Sequence, residues 1–308
     1  MDTTPVIDGS EPAAVIAGWQ ARPAHVARAD MHAMTVDVEE HFQVEAFFGV
    51  IDRGSWESRA SRVARNIDRI LALLDGAGAC ATFFTLAWVA ERHPDVVRKI
   101  VAGGHELASH GSDHRRADTQ TRAEFLADVS RAKAVLEDVG GCEVRGYRAP
   151  SFSVMPGNLW VFDALAEAGY RYSSSTHPIA HDNYGIPHAP RFAFHPLPYD
   201  GFLEIPVTSW RWLGRNWPCG GGGYFRLLPY AYSKLALSRV ADGEGRPCVF
   251  YFHPWEVDPQ QPRVAGAPLK SRLRHYTNLD RMEPRLARLL RVLRWGRMDE
   301  IFLPGAAA

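Results

Sequence analysis

Apolar residues in this chain alternate between short continuous runs and helical stripes. The run at residues 34–38 reads as a strand, and residues 58–74 after it carry Val63, Ile67, Ile70, Leu71 and Leu74 on one stripe. Residues 80–85 read as a buried strand, followed by helical material through 94–101 and a short strand at 105–109. Thr121 with Glu124 forms a capping box ahead of Phe125, Val129, Ala132 and Leu136, which predicts a helix start. Residues 144–147, 158–168 and 170–173 continue the strand, helix, strand order. Late strands are expected at 203–207 and 248–252, and a late helix at 283–295.

Strand–helix units repeated along one chain imply a parallel sheet, because parallel neighbours need a crossover connection. The simplest form for this many units is an α/β fold in which the sheet curls into a closed or nearly closed (β/α) barrel. Such barrels place their chemistry at the carboxyl ends of the strands. The conspicuous polar residues fall there: Asp37 and Glu39 end the first strand, His110 follows the third, Arg148 the fourth, Ser173 and Ser174 the fifth, and His253 the last long one.

Composition narrows the partner. Lys plus Arg and Asp plus Glu both number 35, so no global field draws in nucleic acid or an anionic membrane. Four cysteines without C-x-x-C spacing predict buried thiols and a reducing compartment. No apolar run is long enough to span a bilayer, and the first thirty residues lack the apolar core of a signal peptide. Residues 1–30 are therefore expected to be a flexible extension, and 31–308 a single domain with a Trp/Gly-rich insert around 205–230 and a C-terminal helical segment at 280–297. Arg281, Arg285, Arg288, Arg291, Arg294 and Arg297 recur at helical spacing there, as a solvated face or a contact for a polyanion or membrane surface.

His110 and His114 stand four apart, and with the Asp37-Val38-Glu39-Glu40 cluster they supply two imidazoles and at least two carboxylates, a ligand set for a divalent metal that keeps a position open for water. Spacing alone is weak evidence, since 13 histidines in 308 residues give roughly one-half of a chance pair at any fixed spacing. His177 and His181 are such a second pair, interrupted by Pro178.

Five segments in order supply the context: Thr35 to Glu39, Ser109 to His114, Tyr147-Arg148-Ala149-Pro150-Ser151, Tyr172-Ser173-Ser174-Ser175 and Tyr251-Phe252-His253-Pro254-Trp255-Glu256. Together they resemble the motifs of NodB-type polysaccharide deacetylases, carbohydrate esterase family four. The spellings around Asp37 to Val44, Gly221 to Pro229 and Phe252 to Glu256 are similar to the subfamily found with exosortase and exopolysaccharide loci. The resemblance implies a distorted (β/α) barrel of the NodB type and a divalent metal, most often Zn2+, with Co2+, Ni2+ or Mn2+ also suited to the ligands. It implies hydrolysis of N-acetyl groups on a glycan. His110, His114 and a carboxylate would hold the metal, Asp37 would take a proton from water, and His253 would protonate the leaving nitrogen. Arg148 would keep Asp37 ionised, and the Ser151 N–H would face the oxyanion.

Two departures from the family pattern leave positions open. The second acid of the first motif is displaced to Glu39 or Glu40, and the period of a strand favours Glu39, on the same side as Asp37. In the fourth motif Ser173 stands where an aspartate is often found, with Glu204 and Asp182 as candidate substitutes. The run Gly220 to Gly223 lacks the ending of a phosphate loop and reads as a place of close backbone approach to the substrate or a neighbouring loop. Trp210, Trp212, Trp217, Tyr224 and Arg226 around it either contact sugar or pad the rim.

The reading from these residues is a metal-dependent deacetylase acting on an N-acetylhexosamine polymer or its precursor, expected in the cytoplasm or held at the inner membrane by polysaccharide synthesis machinery. The alternatives are an amidohydrolase of the same fold acting on a small cyclic amide or ureide, and a non-catalytic glycan-binding module.

Overall fold

The computed structural model describes residues 12–303. Six strands follow one another in the first two-thirds: β1 (His32–Val38), β2 (Thr82–Thr85), β3 (Glu106–Ser109), β4 (Gly146–Tyr147), β5 (Tyr172–Ser173) and β6 (Leu203–Glu204). A hairpin of β7 (Ser209–Trp212) and β8 (Arg215–Pro218) stands apart, and β9 (Val249–Phe252) and β10 (Trp295–Gly296) return to β1. The sheet runs β10-β1-β2-β3-β4-β5-β6 with β9 also on β1, every pairing parallel. Both faces are covered, so all seven residues of β1 and all four of β2, β3 and β9 are buried. This is the curled, barrel-like sheet that the alternation of runs and stripes implied.

The helices are α1 (Pro12–Trp19), α2 (Val63–Asp75), α3 (Ala87–Arg92), α4 (Pro94–Ala102), α5 (Arg122–Gly140), α6 (Val161–Glu167), α7 (Gly222–Leu227), α8 (Tyr230–Ser238), α9 (Leu269–Tyr276), α10 (Leu279–Leu289) and α11 (Met298–Phe302). On α2 the stripe buries Val63, Ile67, Ile70 and Leu74 against the sheet. The capping box of α5 is formed by Thr121 and Glu124, and the helix stops at Gly141 in the left-handed region (φ +63).

Three expectations change. The late helix ends at Leu289, and Trp295, expected inside it, pairs with His32 as part of β10. Its apolar spacing fits either element, and hydrogen bonding to β1 decides. The C-terminal arginines are not one solvated face: Arg285 donates to the carbonyls of Phe225, Arg226 and Leu228, Arg294 pairs with Asp30 and Arg297 with Asp299. Over residues 12–30, where a flexible extension was expected, Ile16 and Trp19 are buried, Trp19 Nε1 donates to the Pro196 carbonyl at 3.1 Å, and Ala24 N to Ala193 O at 2.9 Å. A tryptophan can dock a short segment because it brings a large apolar face and only one donor to satisfy. Residues 1–11 lie outside the described residues. The four cysteines are free, Cys219 and Cys248 buried. Among the described residues no helix is long and apolar enough to cross a membrane.

At the amino ends of the strands Glu106 is buried. It accepts from Tyr172 Oη at 2.8 Å, Thr82 Oγ1 at 2.5 Å and the Asp299 N–H at 3.1 Å. Burial, then the nearby Asp299, pushes its carboxyl up to about 8. A carboxyl held above its unfolded value favours the folded state most at low pH, and that contribution fades as pH climbs from roughly 5 to 8. Glu106→Gln should therefore flatten the fall in Tm over this range, and parallel curves for the two proteins would show that Glu106 does not titrate there. Trp19→Ala should cost about 3 kcal/mol in denaturant unfolding. An unchanged midpoint would mean that α1 is not docked in solution.

Candidate active site

The first strand delivers three side chains to the carboxyl end of the sheet. Thr35 and Asp37 share one face of β1, and Glu39 follows where the strand ends. Arg148, just after β4 and wholly buried, answers them: its Nη1 donates to Asp37 Oδ1 at 2.6 Å and Thr35 Oγ1 at 2.7 Å. Its Nε and Nη2 donate to the carbonyl and hydroxyl of Ser174 at 3.0 and 2.9 Å. Its guanidinium carbon lies 4.1 Å from the centre of the Phe84 ring. A buried guanidinium is tolerated when each donor is answered in this way.

His110 and His114 lie on a loop after β3, not on a helix. Gly111 (φ +81) and His114 (φ +60) both adopt left-handed backbone, which coils the loop so that both rings face inward, 5.3 Å apart. The loop is seated on α3, whose Ala87 and Trp88 amides donate to the carbonyls of Gly111 and Ser112. His110 Nδ1 pairs with the Arg148 carbonyl at 2.8 Å, which turns Nε2 toward Glu39. Burial holds His110 down at about 4, so its ring is neutral at neutral pH, the form that binds a cation.

Glu39, His110 and His114 bring their ligand atoms within 4.8 Å of one another, all buried. Glu39 Oε2 lies 2.7 Å from His114 Nε2 and 4.0 Å from His110 Nε2. A tetrahedral zinc with bonds of about 2.0–2.2 Å holds its ligands roughly 3.3–3.6 Å apart, between those two values. Glu39 Oε1 is taken by the Trp255 indole N–H at 3.1 Å, while the buried Oε2 faces the two imidazoles. The carboxyl is pushed up by burial but carried down to about 2 by His114, then His253 and His110. An ionised, half-satisfied carboxylate beside a neutral imidazole fits a divalent cation. Glu40 points elsewhere: its Oε1 accepts from Ser61 Oγ and from the Arg62 and Val63 amides at the start of α2, at 2.8 and 3.0 Å for the amides.

His253, after β9, approaches from the other flank. Its Nε2 is 3.9 Å from Asp37 Oδ2 and 3.8 Å from Glu39 Oε1. Its Nδ1 meets Glu256 Oε1 at 2.8 Å, and Glu256 Oε2 accepts from Arg226 Nε at 2.6 Å. Burial lowers the imidazole's proton affinity, but Glu256, Glu39 and Asp37 raise it to about 9. Trp255 stacks on His253 at 4.9 Å and on His275 at 4.0 Å, so one indole both orients Glu39 and packs the histidine. These side chains line a cavity of about 210 Å3 whose wall also includes Ser151, Tyr184 and Tyr251. Ser151 (φ +56) and Phe152 (φ +50) hold left-handed backbone in the turn after Arg148, and Ser151 Oγ donates to Glu45 Oε2 at 3.3 Å.

Several sequence expectations land elsewhere. Arg226 is engaged by Glu256 and by the carbonyls of Arg274, His275 and Thr277, which take four of its five N–H donors, so its main part is to brace His253 through Glu256. Trp210 lines neither this cavity nor its larger neighbour; it stacks on Trp212 at 5.5 Å and meets Tyr232. Trp217 and Tyr224 line that neighbour. Neither candidate for the missing fourth-motif aspartate reaches Arg148 or His253: Glu204 binds the Ser175 and Thr176 amides at 2.9 and 2.7 Å, and Asp182 pairs outside with Lys270 and Arg274. Ser174 and Glu256 fill those places. The glycine run explains Glu256's position, because a Cβ at Gly220 would lie 2.4 Å from the Val249 carbonyl, at Gly221 2.6 Å from the Tyr251 ring, and at Gly222 2.3 Å from Glu256 Oε1. The close approach is to β9 and its brace. Spacing could have pointed to Glu256, three residues after His253 and so within reach around one turn.

Two family models match successive parts of the chain. Residues 51–173 match the polysaccharide deacetylase family model, and residues 174–303 match a domain of unknown function (DUF3473). A peptidoglycan-N-acetylglucosamine deacetylase of Bacillus cereus is 28% identical over 106 residues, which span 33% of this chain and 46%, about half, of that relative. The crystal structure of a putative polysaccharide deacetylase from Mycobacterium smegmatis superposes with a TM-score of 0.55 at 18% identity, covering 90% of this chain and 89% of that one, and it shares the fold. Residues 51–173 thus resemble the polysaccharide deacetylase family, and the sheet they build continues without a break into the DUF3473 segment.

Proposed function

We propose that this protein removes acetyl groups from N-acetylhexosamine residues of a polysaccharide or its precursor, in the synthesis of an exopolysaccharide. One observation carries the reading: a Glu39–His110–His114 cluster fit for a cation lies between a carboxylate braced by arginine and an imidazole braced by a carboxylate, all in one cavity. A binding module has no need of a proton acceptor and a proton donor on opposite flanks. The match to the polysaccharide deacetylase model and the partial relative among N-acetylglucosamine deacetylases support the substrate class.

A divalent cation held by Glu39, His110 and His114, best suited to zinc, would polarise the amide carbonyl and acidify water. The chain's own residues divide the proton transfers. Asp37, tied through Oδ1 to Arg148, keeps Oδ2 toward the cavity to take the proton of the attacking water. As the water oxygen bonds to the carbonyl carbon, the Ser151 N–H faces the developing negative charge. His253, whose Nδ1 is held by Glu256, gives the proton on Nε2 to the nitrogen as the C–N bond breaks, releasing acetate and a free amine. Arg226 keeps Glu256 ionised and in place.

Purified protein should contain one equivalent of divalent metal and release acetate from N-acetylglucosamine oligomers, and His110→Ala should lose both. Asp37→Asn should keep the fold and lower kcat by roughly 10²–10⁴-fold. Full activity in that variant, or activity indifferent to chelation, would rule out this reading. Glu256→Gln should lower kcat with little change in KM, and Gly222→Ala should do the same by pushing Glu256 aside. If both retain full kcat, the brace on His253 has no catalytic role.

A further inference from the structure

A second, larger cavity of about 810 Å3 opens beside the first, and nothing in the proposed reaction uses it. Its size falls within the range of about 300–1,000 Å3 typical of ligand sites. The two share a wall. Asn183 and Tyr184 line the reaction cavity, while Pro178, Ile179 and Ala180 of the same loop line the larger one; on α7, Gly223 faces the first and Tyr224 the second. The hairpin of β7 and β8 roofs it, fixed to the loop by Asn216 Nδ2 donating to the Pro178 carbonyl at 2.8 Å.

The lining has a definite chemical character. Trp217, Tyr224 and Tyr232 offer flat apolar faces, and Trp217 stays 41% exposed although its indole N–H is bonded to the Trp212 carbonyl. Tyr232 Oη is likewise used, on Pro218 O at 3.0 Å. Arg211 and Arg215 line the same cavity, and among the described residues neither forms an ion pair and no Asp or Glu joins the lining. Two guanidiniums without carboxylates suit an anion, and rings with little free hydrogen-bonding capacity suit the flat apolar faces of sugars.

Resting on the deacetylase reading, we infer that this cleft binds the continuation of the glycan chain whose reacting residue sits in the smaller cavity, and that the chain carries acidic groups such as uronic acids. The cleft thereby selects the polymer, while the smaller cavity selects the N-acetyl group. Continuity along the 178–184 loop and charge complementarity decide for a glycan over other occupants.

The test compares oligomers of equal length by calorimetry on the full chain: hyaluronan oligosaccharide, in which N-acetylglucosamine alternates with a uronic acid, and neutral chito-oligosaccharide. Hyaluronan should bind at least about tenfold more tightly, an advantage that shrinks with added salt and disappears in the Arg211→Ser/Arg215→Ser double variant. Trp217→Ala should weaken both by about tenfold. Acetate release from the N-acetylglucosamine dimer, which is uncharged and offers the two arginines no anion, should be unchanged in the double variant. Equal binding of the two oligomers, or binding indifferent to the arginines, overturns the inference while leaving dimer hydrolysis to report on the enzyme reading by itself. Arginine-dependent binding to phosphatidylglycerol vesicles with none to hyaluronan would assign the surface to a membrane and overturn it equally. Failure of the dimer assay alone would strike the enzyme reading, not the cleft.

Discussion

The carboxyl end of the sheet is organised around one buried charge. Arg148 is sealed from water, and its donors are met by β1 through Thr35 and Asp37 and by the chain after β5 through Ser174. An unanswered guanidinium there would cost several kcal/mol, so the ends of three strands are held in register by the need to answer it. The same residue sets the imidazole next door, since its carbonyl fixes the ring of His110. Arg226 repeats the device on the opposite flank, with Glu256 and three carbonyls as its partners. Charges normally excluded from an interior thus become the rivets that aim it.

Much of this was legible in the sequence. Short continuous apolar runs and helical stripes report burial directly, so β1, β2, β3, β9, α2 and α5 were readable, as was the alignment of Asp37, His110, Arg148 and His253 along one edge. Strand period favours Glu39 over Glu40 as the partner of the histidines, and Glu39 is the one that lies beside them. Elements settled by distant partners were not readable. Trp295 pairs with β1 although its neighbours continue a helical stripe, and Trp19 docks a segment whose composition resembles a loose tail. Arg226 shows the limit most clearly, because an arginine beside a glycine run is equally compatible with a sugar contact and a buried ion pair. Only Glu256, thirty residues on, distinguishes them.

Conformational economy runs through the site as well. Gly220 to Gly222 are small because β9 and Glu256 occupy the space a methyl would need. Gly111 and His114 accept left-handed backbone so that two imidazoles can meet on a loop, where a helix would have set them along one face instead. The cation site is therefore a product of backbone conformation as much as of ligand identity.

The family boundary between residues 173 and 174 passes through this machinery rather than around it. Arg148 lies on one side and the serine that receives it on the other; His110 and His114 precede the boundary, His253 follows it, and Asp37 and Glu39 lie ahead of both matched segments. A break at that seam would take the carbonyl and hydroxyl of Ser174 from Arg148, and Asp37 and Glu39 from His253. The three stretches form one structural unit at the carboxyl end of the sheet, and none of them holds the whole cluster of Asp37, Glu39, His110, His114, Arg148 and His253.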